Sequence, residues 1–144
     1  MAARRIRGQS SPKKVRLLLD THVFIWWDSG KLADETARRV RGADVVFVSA
    51  VSAWEIAIKS GLGKLEVRGN WDETLPRYGF TELPILARYA DELAGLAPHH
   101  HDPFDRMLIC QAKAENLTIV TADRAFAAYG IPIERAVASR KRLR

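Results

Sequence analysis

Several features are missing from this 144-residue sequence, and each absence narrows the reading. No apolar run approaches the roughly 18 residues that a membrane-spanning helix needs. The N-terminal stretch "MAARRIRGQSSPKKVR" is basic, but no apolar core with a cleavage site comes after it, as a secretory signal would require. A single cysteine, Cys110, has no partner for an internal disulfide, which agrees with a reducing compartment. A cytoplasmic location is the expectation. There is no internal repeat and no low-complexity block. Acidic residues are absent from both ends: none occurs in residues 1–16 or 135–144.

What is present suits one globular domain with a real core, with 47% apolar and 28% charged residues. The formal charge of +6 is unevenly spread. Six basic residues (Arg4, Arg5, Arg7, Lys13, Lys14 and Arg16) fall in 1–16, and five (Arg135, Arg140, Lys141, Arg142 and Arg144) in 135–144. The body between them carries 12 basic and 17 acidic residues, a balance of −5. Basic ends are either solvated termini or tethers for phosphate. An acidic body that worked on a polyanion would need metal ions to screen its own site.

Short apolar runs alternate with helix-like stretches. "VRLLLD" (15–20), "VVFVSA" (45–50) and "LTIVTAD" (117–123) read as buried strands. "FTELPI" (80–85) and "IPIERA" (131–136) are weaker candidates, because Pro84 and Pro132 limit ladder pairing. Helices are expected over 22–28, 33–41, 52–60, 71–78, 86–95, 103–115 and 123–129. Gly30, Gly42, Gly61 and Gly130 fall near their ends, where a left-handed residue is useful. Such alternation predicts an α/β fold with a parallel sheet flanked by helices. Ligands of these sheets sit at the carboxyl ends of the strands.

That rule sorts the acids. Asp20 closes the first strand, and Asp123 lies just past the "LTIVT" strand. Glu55 lies one turn inside the helix after the second strand, and Asp105 lies in the first turn of the 103–115 helix. Each also has a structural explanation. Asp20 and Asp123 could cap the helices after them. "SAWE" fits a capping box with Ser52 as the cap and Glu55 at the third helical position. In "DPFD", Asp102 can cap, Pro103 suits the first helical position, and Asp105 favours the helix dipole. Four such acids at the ligand edge of one sheet are harder to explain by capping alone.

His99, His100 and His101 are consecutive, so their side chains diverge, whereas zinc motifs space ligands by about two to five residues. Cys110 reads as a buried core thiol. Trp26, Trp27, Trp54 and Trp71 could stack bases, but beside apolar neighbours they read as core or interface residues.

Four blocks together, "LLLDTHVFIWW", "VSAVSAWEIAIKSGLGKL", "HHDPFDRMLICQA" and "IVTADRAFAAYGI", resemble PIN-domain ribonucleases. More narrowly they resemble VapC-type toxins of type II toxin–antitoxin systems. The resemblance covers about residues 17–136, between a basic N-terminal tail (1–16) and a basic C-terminal tail (137–144). It implies a PIN-like sandwich with a central parallel sheet of four or five strands, and a four-acid site of Asp20, Glu55, Asp105 and Asp123. Thr121 matches a hydroxyl that positions an acid or a water. The implied cofactor is Mg²⁺ or Mn²⁺, hard cations suited to carboxylate oxygens.

Asp20 and Asp105 would be the main metal ligands and Asp123 an assisting one, with Glu55 holding or deprotonating the attacking water. The implied partners are an RNA substrate, such as transfer RNA, a cognate antitoxin protein and a second copy in a homodimer, with no membrane. On this reading the histidine run is incidental, the alternative being a loop histidine near the active site that touches substrate. Two rivals are weaker. An aspartyl phosphatase wants a second acid two residues after Asp20, where His22 stands. An RNA-binding module without chemistry leaves the complete acid set unexplained.

Overall fold

The computed structural model describes residues 14–62 and 70–140. Residues 1–13 and 141–144, most of the N-terminal basic tail and half of the C-terminal one, lie outside the described residues, and so do the expectations attached to them. Five strands form one sheet: β1 (Arg16–Leu19), β2 (Val45–Ser49), β3 (Thr81–Leu83), β4 (Thr118–Thr121) and β5 (Ile133–Arg135). Every pairing is parallel, in the order β3-β2-β1-β4-β5. The α/β sandwich is therefore as expected, at the five-strand end of the range. The proline-flanked runs form the two short edge strands, where a missing donor costs least.

Helices cover both faces: α1 (Thr21–Asp28), α2 (Asp34–Gly42), α3 (Ala50–Gly61), α4 (Trp71–Tyr78), α5 (Tyr89–Ala94) and α6 (Pro103–Glu115), with a 3₁₀ helix at Arg124–Tyr129. Side chains alternate along each strand between two cores. Leu17, Leu19, Val46, Val48 and Val120 point to the face covered by α1, α2 and α4. Leu18 and Ile119 point to the face covered by α5 and α6, where Leu108, Ile109 and Phe126 are fully buried. Trp26, Trp27 and Trp71 pack against the first core. Trp54 is 58% exposed on α3 and meets Phe104 edge to face. No helix among the described residues is long and apolar enough to cross a membrane.

Three local expectations need correction. Ser52 does not cap α3. Ser49, the last residue of β2, does, accepting from Val51 N–H at 3.0 Å. Ser52 is instead fully buried inside the helix and accepts a hydrogen bond from the Thr21 hydroxyl. The helix begins where the strand ends, so Glu55 is no capping-box partner. Gly42 and Gly61 are the last residues of α2 and α3 and have no positive φ. Among the described residues, the left-handed positions are Gly30, Gly79, Gly130 and Asn116. Finally, α5 is shorter than the expected 86–95 stretch. Beyond Ala136, the chain runs back along the start of α2: Ala33 N–H donates to Val137 C=O, and Leu32 bridges Ala138 antiparallel.

Candidate active site

The carboxyl edge of a parallel sheet gathers the first residues after every strand. Asp20 comes directly after β1 and caps α1, its Oδ1 accepting from Val23 N–H at 2.8 Å. Its own N–H continues the ladder to Val120 C=O at 3.0 Å. Its other oxygen accepts from the hydroxyl of Thr121, at the end of the neighbouring strand β4. The same Thr121 oxygen accepts from Asp123 N–H at 3.0 Å. One buried hydroxyl therefore ties Asp20 to the turn that carries Asp123. Asp123 in turn caps the 3₁₀ helix through Ala125 N–H. Capping and convergence are both true of these two acids.

Glu55 reaches the edge from inside α3. It is only 2% exposed. One carboxylate oxygen lies 2.5 Å from Lys59 Nζ, one helical turn on, and that contact raises the lysine's pKa. The other, Oε1, is buried and has no hydrogen-bond partner among the described residues. Asp105 arrives on the first turn of α6, which Asp102 caps through Phe104 and Asp105 N–H with Pro103 at the first position, as expected.

Charge interactions link Asp105 to Glu55 and Asp20, and Asp20 to Asp123. Burial pushes Asp105 up to about 7, and Asp102, Glu55 and Asp20 add to the rise while His100 opposes it. Burial also raises Asp20, against its Thr121 and Val23 hydrogen bonds, and Asp123 adds repulsion. Asp123 is half-exposed. Partial burial pushes it up, but the Ala125 N–H and His100 outweigh that and hold it low. A buried, unpartnered carboxylate oxygen beside two acids that resist ionisation is the signature of a donor set short of positive charge. Hard oxygen donors of this kind fit Mg²⁺ or Mn²⁺, so the residues present suit the implied ion.

Sequence reasoning set one participant aside and missed two. His100 is not incidental: its Nε2 lies 3.1 Å from both Asp105 Oδ2 and Asp123 Oδ2. These three residues offer ligand atoms within 4.8 Å of one another. Divergence of three neighbouring histidines excludes a three-histidine site but not one histidine turned inward. His99 instead meets Tyr129 edge to face. Lys59, the second, was legible in the i, i+4 spacing of "EIAIK". Gln111, the third, is fully buried. It accepts from the Ser49 hydroxyl at 2.6 Å and donates to Pro84 C=O at 3.1 Å, locking α6 to the end of β2.

Comparison with known proteins agrees with this architecture. A family model described as PIN domain matches residues 17–132. No curated protein matches the chain. Among solved structures, VapBC2 from Rickettsia felis, bound to a promoter DNA fragment, contains a chain that is similar with a TM-score of 0.65 at 15% identity. The match covers 85% of this chain and all (100%) of that one. DNA-bound VapBC from Salmonella typhimurium gives 0.61 at 18% identity, covering 84% and 98%. FitAcB from Neisseria gonorrhoeae gives 0.58 at 20%, covering 81% and 95%. At such identities the likeness is one of fold.

Proposed function

The chain belongs to the PIN domain family, and from that premise we propose that it is a divalent-metal-dependent endoribonuclease acting as the toxin of a toxin–antitoxin pair. The observation that supports this most is the crowding of Asp20, Glu55, Asp105 and Asp123 at one sheet edge, with a buried Glu55 oxygen left unpartnered. Asp20 and Asp105 would hold a Mg²⁺ or Mn²⁺ ion, with Asp123 assisting. When bound, such an ion supplies Lewis-acid polarisation of a phosphate and acidifies water.

The chain's own residues do the rest. The Thr121 hydroxyl fixes the Asp20 carboxylate in rotamer and direction. Glu55, held on one oxygen by Lys59, keeps the other free to orient or deprotonate an attacking water. Asp123 stands at the exposed side, where a strand of RNA enters. Beside it lies a hollow of about 330 Å³ bordered by Arg124 and Arg135. The side chains of both arginines are without an ion pair among the described residues. They supply cations for the substrate's phosphates next to an otherwise acidic site.

The similar solved structures are VapBC and FitAB assemblies, and a cognate antitoxin and a homodimer are the partners proposed here. Trp54 and Ile58 on α3 and Leu62 at its C-cap, spaced four apart, form an exposed apolar stripe of the kind such partners cover.

Hydrolysis by this machinery leaves distinct ends. RNA incubated with the purified full-length chain and Mg²⁺ is expected to carry 5′-phosphate and 3′-hydroxyl termini, read by end-specific ligation and sequencing. Ends bearing 2′,3′-cyclic phosphate would mean that the ribose hydroxyl attacks, and the reading would be wrong.

A further inference from the structure

His100 is held from several directions. Its backbone N–H donates to Tyr129 Oη at 2.8 Å, and its carbonyl accepts from Arg106 at 3.2 Å. The Arg106 guanidinium also binds the carbonyls of Leu96 and Ala97, so it pins the loop that delivers the histidine. The imidazole stacks on Phe126, with centroids 5.7 Å apart and planes 28° apart. Its Nδ1 accepts from Asp102 N–H at 3.1 Å. A backbone N–H can only donate, so Nδ1 carries the lone pair, and in the neutral ring the proton sits on Nε2. That Nε2 lies 3.1 Å from one oxygen of Asp105 and 3.1 Å from one of Asp123.

We propose that His100 is a positioning residue whose Nε2–H hydrogen-bonds the Asp123 carboxylate and faces that of Asp105, and so presets the separation of the two acids for a divalent cation. The inference rests on the metal reading above. The two acids come from different elements, the first turn of α6 and the turn after β4, and like charges there repel. Asp123, 43% exposed at its side chain, is held on Oδ1 by Ala125 N–H, which leaves Oδ2 to be fixed by His100. The Nε2–H holds the second Asp123 oxygen by a hydrogen bond and meets Asp105 Oδ2 as a polar contact at 3.1 Å, leaving each carboxylate its remaining lone pairs.

The same three residues could instead be read as a histidine–aspartate–aspartate ligand set with Nε2 on the ion. The Asp102 N–H opposes that arrangement. A lone pair at Nε2 would move the ring proton to Nδ1, where it would face another donor. His100 therefore acts through the carboxylates and not on the ion.

Mn²⁺ binding to the full-length chain, followed by electron paramagnetic resonance, tests this. Losing a hydrogen-bond partner of metal-ligating groups typically weakens affinity by about 10- to 100-fold, and His100→Ala is expected to fall in that range. His100→Gln, whose amide nitrogen sits near the place of Nε2, is expected to restore affinity to within about threefold. The bound Mn²⁺ should show no hyperfine coupling to a directly ligated nitrogen. Affinity unchanged or raised in His100→Ala, no recovery in His100→Gln, or a directly ligated histidine nitrogen would each overturn the inference alone. No Mn²⁺ binding by the unaltered protein would overturn the metal reading and the inference with it.

Discussion

Replacing Asp20 or Asp105 by asparagine is expected to lower RNA cleavage about a thousandfold or more while the fold survives, since the ion's transition-state stabilisation amounts to several kcal/mol. The fold should survive for local reasons. Asparagine is as good a helix cap as aspartate. In Asp20→Asn the side-chain amide oxygen can still accept from Val23 N–H, the bond that Asp20 makes at 2.8 Å. Asp105 caps nothing; Asp102 does that work for α6. Single-turnover cleavage at saturating RNA, with far-ultraviolet circular dichroism as the check on folding, measures both halves. Cleavage within tenfold of the unaltered rate in either variant would remove that acid from the chemistry.

The second large effect is on stability, and its sign is opposite to that of most buried substitutions. Asp105 is pushed up to about 7 in the folded chain, against an ordinary value near 3.9. A carboxyl raised on folding binds its proton more tightly in the native state. Below pH 4 both states are protonated and nothing is lost. Between about 4 and 7 the unfolded state releases its proton first, so the native state loses stability as pH rises, and above 7 the loss is complete. Three pKa units correspond to roughly 4 kcal/mol.

Chelator-treated Asp105→Asn is therefore expected to melt about 10 °C above the unaltered protein at pH 8 and to show little difference at pH 4. Asp123, whose pKa is lowered, contributes stability of the ordinary carboxylate kind, present at neutral pH and lost only in acid. It does not blur the window between 4 and 7. Equal melting temperatures at pH 8 would mean that burial beside the other acids does not raise the Asp105 carboxyl as its placement implies. Added Mg²⁺ should narrow the gap by stabilising only the unaltered protein.

How much of this was legible beforehand varies by element. The bounds of α6 could be read residue for residue, because Asp102 and Pro103 announce its start and Asn116 its left-handed end. The three inner strands were visible as β-branched or continuous apolar runs. Their trimming by a residue or two reflects where ladder partners run out, which is a property of the neighbouring strand. The positions of Asp20 and Asp123 after β1 and β4 were legible, because the carboxyl-edge rule sorts acids by strand end; that all four acids act as one set remains the proposal made above.

The failures have a common cause: local patterns were trusted where tertiary packing decides. Ser52 and Glu55 have capping-box spacing, yet Ser52 is needed inside, against Thr21, and Ser49 at the strand end takes the cap. His100 gave no spacing signal at all. Its inward turn depends on Tyr129, Phe126 and Arg106, contacts made by residues up to 29 positions away. Gln111 looked like any polar helical residue, and only the meeting of α6 with β2 makes it buried and doubly bonded.

The central claim, that these carboxylates cut RNA only through a divalent ion, is tested most directly by one measurement. The single-turnover cleavage rate of the unaltered full-length chain is followed in excess chelator and again after Mn²⁺ is restored. The account predicts no detectable cleavage in chelator and full recovery with Mn²⁺. Undiminished cleavage in excess chelator would contradict it.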